Sequence, residues 1–157
     1  MKFDDKYSTA RPYIAAFVIL RRGDKIAMTL RRNTGWKDDH YGVPAGKIEW
    51  DETYLQGAVR EAKEEAGVDV EQEDLKMVHV VHRHSLQENG DFMDWVDLYF
   101  EATKWEGEPS NVEPEKSERL DWLDINNLPE NIVPEQRAAL VAVAKGEIYG
   151  EFGWPSS

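Results

Sequence analysis

Apolar and polar positions alternate along this chain in two distinct rhythms. Residues 14–20 form an unbroken apolar run rich in β-branched side chains, the pattern of a strand buried on both faces. A turn at residues 21–24 with Gly23 leads into a second apolar stretch at 25–30, so the two pair as a hairpin. Residues 33–40 are polar and contain Gly35, as expected of a loop, and residues 41–43 form a short strand that ends at Pro44. Residues 53–66 change the rhythm. Leu55, Val59, Ala62 and Ala66 recur at helical spacing, Thr53 and Gln56 match a capping box, and Gly67 stands where a helix ends.

Strands return at residues 75–82 and 92–102, joined through the turn dipeptide Asn89-Gly90. Residues 106–116 hold Gly107, Pro109 and Pro114 and read as a loop, followed by a short strand at 120–123. Pro134 opens a second helix over residues 134–145, and Gly146 closes it. Residues 1–12 and 147–157 read as tails. The expectation is one α/β (α+β) domain over residues 1–157, with helices packed on a sheet.

Composition narrows the function. With 157 residues, 41% hydrophobic and 32% charged, the chain has the make-up of a globular domain. Its formal net charge of -12 argues against a nucleic acid polymer as partner. A small anionic substrate fits that charge only with cations between them. The absence of cysteine excludes disulfides and thiolate chemistry. No signal peptide is visible, and no apolar run is long enough to cross a bilayer, so a cytoplasmic protein without a membrane partner is expected, as monomer or homodimer.

Candidate chemistry concentrates between Gly46 and Val68. On a helix, Glu61, Glu64 and Glu65 are related by i, i+3 and i+4, so their carboxylates share a face distinct from the apolar stripe. Like charges at that spacing repel, and a hard divalent cation such as Mg2+ relieves the repulsion with oxygen ligands alone. A solvated acidic face gives the same three glutamates without any function. Gly46 and Lys47 place backbone amides and an ammonium where phosphates would lie.

These residues resemble the Nudix box of the Nudix hydrolases, G-x5-E-x7-R-E-U-x-E-E-x-G-U, with U a bulky aliphatic residue. Gly46, Glu52, Arg60, Glu61, Glu64, Glu65, Gly67 and Val68 match, and Ala62 is smaller than the aliphatic residue of the pattern. The resemblance implies an α/β/α sandwich around a mixed sheet, with residues 46–68 as a loop–helix–loop. It implies an Mg2+-dependent pyrophosphohydrolase, Mn2+ substituting, acting on a small nucleotide. Glu61, Glu64 and Glu65 would bind the metal, and Glu52, Arg60 and Gly67 would serve the motif structurally.

Outside the box, Trp105-Glu106-Gly107-Glu108-Pro109 is similar to a segment of the MutT-like branch, which converts nucleoside triphosphates to monophosphates. That likeness makes Glu113 a further metal ligand or the general base. ADP-ribose-specific members carry a proline where this chain has Arg83, and diadenosine-polyphosphate members a tyrosine where it has Ser85. Arg31 and Arg32, at a strand end, are candidates for phosphate contacts, and Asn131 for a base edge; a solvated strand end and a plain turn are the alternatives. The alternative functions are an ADP-ribose or NDP-sugar pyrophosphatase and a non-catalytic nucleotide sensor. An isoprenoid diphosphate isomerase on a similar fold would want a catalytic cysteine.

Overall fold

A computed structural model describes residues 9–156. The strands are β1 Tyr13–Arg22, β2 Lys25–Arg31, β3 Tyr41–Gly42, β4 Ala45–Lys47, β5 Lys76–Leu86, β6 Phe92–Ala102, β7 Ser117–Asp124 and β8 Tyr149–Phe152. The helices are α1 Tyr54–Ala66 and α2 Pro134–Ala144. Residues 1–8 of the expected N-terminal tail lie outside the described residues.

β1 is the centre of an eight-stranded mixed sheet. It runs parallel to β6 from Tyr13↔Trp95 to Leu20↔Ala102 and antiparallel to β4. Its far end pairs with β2 through Arg21↔Ile26, the expected hairpin. β2 then leaves β1 to pair with β3 and β7, while β6 continues to β5 and β8. The period of two along β1 divides its side chains between two cores. Ala15, Phe17 and Ile19 join a cluster that includes Ala139 and Leu140 of α2. Ala16, Val18 and Leu20 join one that includes Ala58, Ala62 and Ala66 of α1. A strand covered on both faces must be apolar at every position, which explains the unbroken run.

α1 forms as its local sequence dictates. The Gln56 amide donates to Thr53 Oγ1 at 3.1 Å, and the Thr53 amide donates to Gln56 Oε1 at 2.8 Å. Gly67 ends the helix in the left-handed region at φ 72°, and its amide donates to Lys63 O at 3.0 Å. The buried face is shifted from the expected stripe. Gly57, Ala58, Glu61, Ala62 and Ala66 are buried, whereas Leu55 and Val59 are only partly so. Small side chains let the helix lie close on β1, leaving the larger ones at its margin.

Three further differences are informative. β5 and β7 are longer than residues 75–82 and 120–123, because pairing with β6 and β2 carries them on. β4 was not expected at all. The chain after Gly146 is not a plain tail: β8 adds a parallel edge to β5, from Val80↔Tyr149 to Arg83↔Phe152.

Candidate active site

Arg60 lies at the centre of a knot of carboxylates. Its Nε donates to Glu52 Oε2 at 3.0 Å and its Nη2 to Glu52 Oε1 at 2.6 Å, a bidentate pair. Nη2 also donates to Lys47 O at 3.0 Å, which ties α1 to the end of β4. Nη1 donates to Glu61 Oε1 at 2.6 Å and to Glu64 Oε2 at 3.2 Å. The Arg60 hydrogen bonds hold the Glu52 carboxyl below the usual carboxylate range.

Two glycines make room for this knot. A Cβ on Gly46 would fall 2.1 Å from Glu61 Oε1, so the carboxylate rests directly on the β4 backbone. A Cβ on Gly57 would fall 2.4 Å from Ile48 Cδ1 and 3.0 Å from Glu52 Oε1. Gly57 was not singled out by sequence, where a glycine inside a helix signals only weaker propensity.

Glu65 reaches β4 one residue earlier, outside the Arg60 knot. It lines a cleft of about 490 Å³, and its Oε2 accepts a 3.0 Å hydrogen bond from the Ala45 amide. Burial, first of all, pushes its pKa up to about 8, and the charges of Glu61 and Glu113 add to the rise. Burial likewise raises Glu61, against the pull of Arg60. Glu64 is exposed.

Glu113 lines the same cleft as Glu65. The contacts that bring it there start at the C-terminus of α1. The Ser110 amide donates to Ala66 O at 3.1 Å, and Asp69 and Glu106 exchange backbone hydrogen bonds of 2.9 and 3.0 Å. The Trp105–Pro109 segment therefore anchors the loop to the helix it faces. Arg32 fixes the loop's other side, its guanidinium and amide donating to Pro114 O and Lys116 O.

The remaining predicted residues divide. Arg31 lines the cleft, braced by Trp36 O at 3.0 Å and Thr34 Oγ1 at 3.1 Å. Arg32 is turned onto the Pro114 carbonyl instead. The Lys47 ammonium rests 4.7 Å from the Tyr13 ring centroid and 5.4 Å from that of Trp95. Asn131 does not line the cleft; its Nδ2 donates to Asp39 O at 2.9 Å. Sequence reading missed Thr29 and Gln136, which do line it. Arg83 is buried in a bidentate pair with Asp97.

Among the described residues, no three His, Asp or Glu side chains stand in a geometry that would hold a metal ion. The physical reason is visible in the knot: Glu61 and Glu64 are turned onto Arg60. The donors nevertheless fit a hard divalent cation, being carboxylate oxygens throughout. Glu61 and Glu65 are also carboxylates whose charge is disfavoured by burial, and a cation beside them would restore it.

The NUDIX domain profile matches residues 11–143, and the chain belongs to that family. It is a Nudix pyrophosphohydrolase, acting on acid anhydrides. An uncharacterized Nudix hydrolase of Bacillus subtilis (strain 168), YvcI, is 28% identical over 141 residues, covering 85% of this chain and 82% of its own. The MutT NUDIX hydrolase of Burkholderia pseudomallei, known from its crystal structure, shares 28% identity and superposes with a TM-score of 0.71, covering 83% of this chain and 97% of its own. A bifunctional NMN adenylyltransferase/ADP ribose pyrophosphatase of Francisella tularensis, crystallised with AMP and a Mn ion, shares the fold with a TM-score of 0.66 at 16% identity. That match covers 90% of this chain and 44% of the Francisella protein. Among the described residues, no helix is long and apolar enough to cross a membrane.

Proposed function

We propose that this cleft hydrolyses a nucleoside triphosphate to a monophosphate and pyrophosphate, with Mg2+ as the cofactor and Mn2+ able to replace it. Glu61, Glu64 and Glu65 would hold the ion, with Glu113 as a fourth ligand or as the base that takes a proton from the attacking water. When bound, the ion would polarise the anhydride and neutralise the leaving phosphate. The observation that carries the reading is the meeting of Glu65 and Glu113 in one cleft, brought together from α1 and a distant loop.

The chain's own groups have distinct parts in this reaction. Arg31, on the wall of the same cleft, supplies the fixed positive charge for a phosphate. Arg60 and Glu52 keep the β4 backbone against α1, and so fix where Glu61 and Glu65 stand. For an ion to be held, Glu61 and Glu64 must turn from the guanidinium. Glu113 pairs with Lys116 at 3.4 Å on the wall of the same cleft, and so has a cation to share its charge.

A panel of nucleoside triphosphates, ADP-ribose and an NDP-sugar tests the reading, each assayed with Mg2+ and with EDTA. Triphosphates should yield monophosphate and pyrophosphate, and EDTA should abolish turnover until Mg2+ or Mn2+ is restored. Faster turnover of ADP-ribose or the NDP-sugar would overturn the substrate assignment. Full activity in EDTA would overturn the metal assignment.

A further inference from the structure

The cleft is lined by two polar side chains, both more than nine-tenths buried, each with a polar atom that forms no hydrogen bond with the described residues. Thr29 is 8% exposed and Gln136 7% exposed. Thr29, on β2, is the cross-strand partner of Gly42 on β3. Gln136, on α2, packs over the same glycine: a Cβ on Gly42 would meet its Nε2 at 3.0 Å. Residues opposite one another in an antiparallel pair present side chains to one face. Thr29 and the Gln136 amide therefore meet at one place on the cleft wall, and the absence of a side chain at Gly42 leaves room for the amide.

The orientation of Gln136 is fixed. The buried Val43 amide donates to its Oε1 at 2.8 Å, which fixes the oxygen toward Val43. The Nε2 group, with two hydrogens to give, has no hydrogen-bond partner among the described residues, and neither has Thr29 Oγ1. Neither atom is fully enclosed: both keep access to the cleft, where water or a ligand can meet them. A free carboxamide can pair with adenine through oxygen and nitrogen together. Here the oxygen is turned to the Val43 amide, and the unpaired group beside it is the Nε2 donor, next to a Thr29 hydroxyl that can give or accept a hydrogen bond.

We propose that Thr29 and Gln136 read an oxo-substituted base edge, so that the preferred substrates carry a carbonyl where adenine and cytosine carry an amino group. Guanine offers O6 and N7 as adjacent acceptors, and thymine or uracil offers O4. An amino group at that position sets donor against donor and leaves the Gln136 amide unpaired. This inference rests on the nucleoside triphosphate reading above and adds the class of base to it.

The test has a binding arm and a turnover arm. In EDTA, calorimetry compares dGMP and dIMP with dAMP, purines of nearly equal size, so no reaction is needed. The 6-oxo nucleotides should bind about 10-fold tighter or more, and the same ratio should appear in kcat/KM of the triphosphates with Mg2+. Two variants locate the preference. Thr29→Val replaces the hydroxyl with a methyl and breaks no side-chain hydrogen bond among the described residues. Gln136→Leu removes the amide and also frees the Val43 N–H, so its folding is checked by thermal melting. Each should shrink the oxo-to-amino ratio, and in the double variant it should approach unity. Equal affinity of the wild type for dGMP and dAMP would overturn the inference, as would a preference that survives in the Thr29→Val and double variants. Failure of the functional reading is separate: it appears as no triphosphate turnover with any base, whatever the monophosphate affinities.

Discussion

The carboxylates of α1 lie in two neighbouring regions that satisfy charge in opposite ways. Around Arg60, Glu52 is bound by two guanidinium nitrogens and by the Glu49 amide, and its pKa is lowered. In the cleft, Glu65 has the Ala45 amide, no ion pair among the described residues, and a pKa raised to about 8. Thr29 and Gln136 share that cleft with donors that have no partner among the described residues. Groups that a fold satisfies internally hold it together. Groups that it buries and leaves short of partners are available to a ligand, and they tend to cluster at functional sites.

The comparison is broken most sharply at Glu65. Glu65→Gln keeps the size and removes the charge, so kcat should fall by ~100-fold or more, the scale of a lost major catalytic group. The fold should survive, since a neutral amide suits a buried place. Wild-type kcat in a folded variant would show that the carboxylate does nothing in the reaction.

Arg60→Ala tests the other region. Glu52, with its side chain 12% exposed, would lose its bidentate partner, as would the tie to Lys47 O. Because Arg60 is itself partly solvated, a loss of about 1–3 kcal/mol of stability is expected, less than for a fully buried pair. Thermal or urea unfolding measures it. An unchanged melting temperature with lost kcat would instead make Arg60 a phosphate contact.

The smallest effect is a pH slope in the metal-free protein. Glu65 is raised from an ordinary 4.5 to about 8 in the folded state, so the fold binds its proton more tightly than the unfolded chain does. Its contribution is fully present below about pH 4.5 and is lost as pH rises toward 8. Unfolding in EDTA should show stability falling across that window, more gently in Glu65→Gln. Identical slopes would show that Glu65 is not desolvated as the geometry requires. Glu61, raised in the same direction, leaves a residual slope in the variant.

Much of the fold was legible in the sequence, where its cause is local. The capping box, the terminal Gly67 and the unbroken run of β1 each express interactions within a few residues or burial on both faces. β4 and β8 were illegible because strands of three and four residues carry almost no pattern, and only their neighbours make them strands. The site divides in the same way. The box pointed to Glu61, Glu64 and Glu65, yet the wheel that placed them on one face missed that Glu61 turns inward against Gly46. Gln136 was missed because its meaning comes from the Val43 amide, 93 residues away in sequence. Asn131, the sequence's candidate for a base edge, donates its amide to Asp39 O instead.

The central claim is that Glu65 and Glu113 face one reaction site, and kcat of three single variants tests it most directly. Glu113→Gln is compared with Glu115→Gln and Glu108→Gln, its neighbours in sequence. Glu115 is exposed, and Glu108 pairs on the surface with Arg22 at 2.8 and 2.9 Å. With Mg2+ and a nucleoside triphosphate, Glu113→Gln should lose roughly 10- to 10,000-fold in kcat, the span from an outer partner to a general base. The other two should match the wild type, and all three should keep its melting temperature within a degree or so, as surface changes do. Wild-type kcat in Glu113→Gln would contradict the account, and the base would then have to be sought among the glutamates of α1.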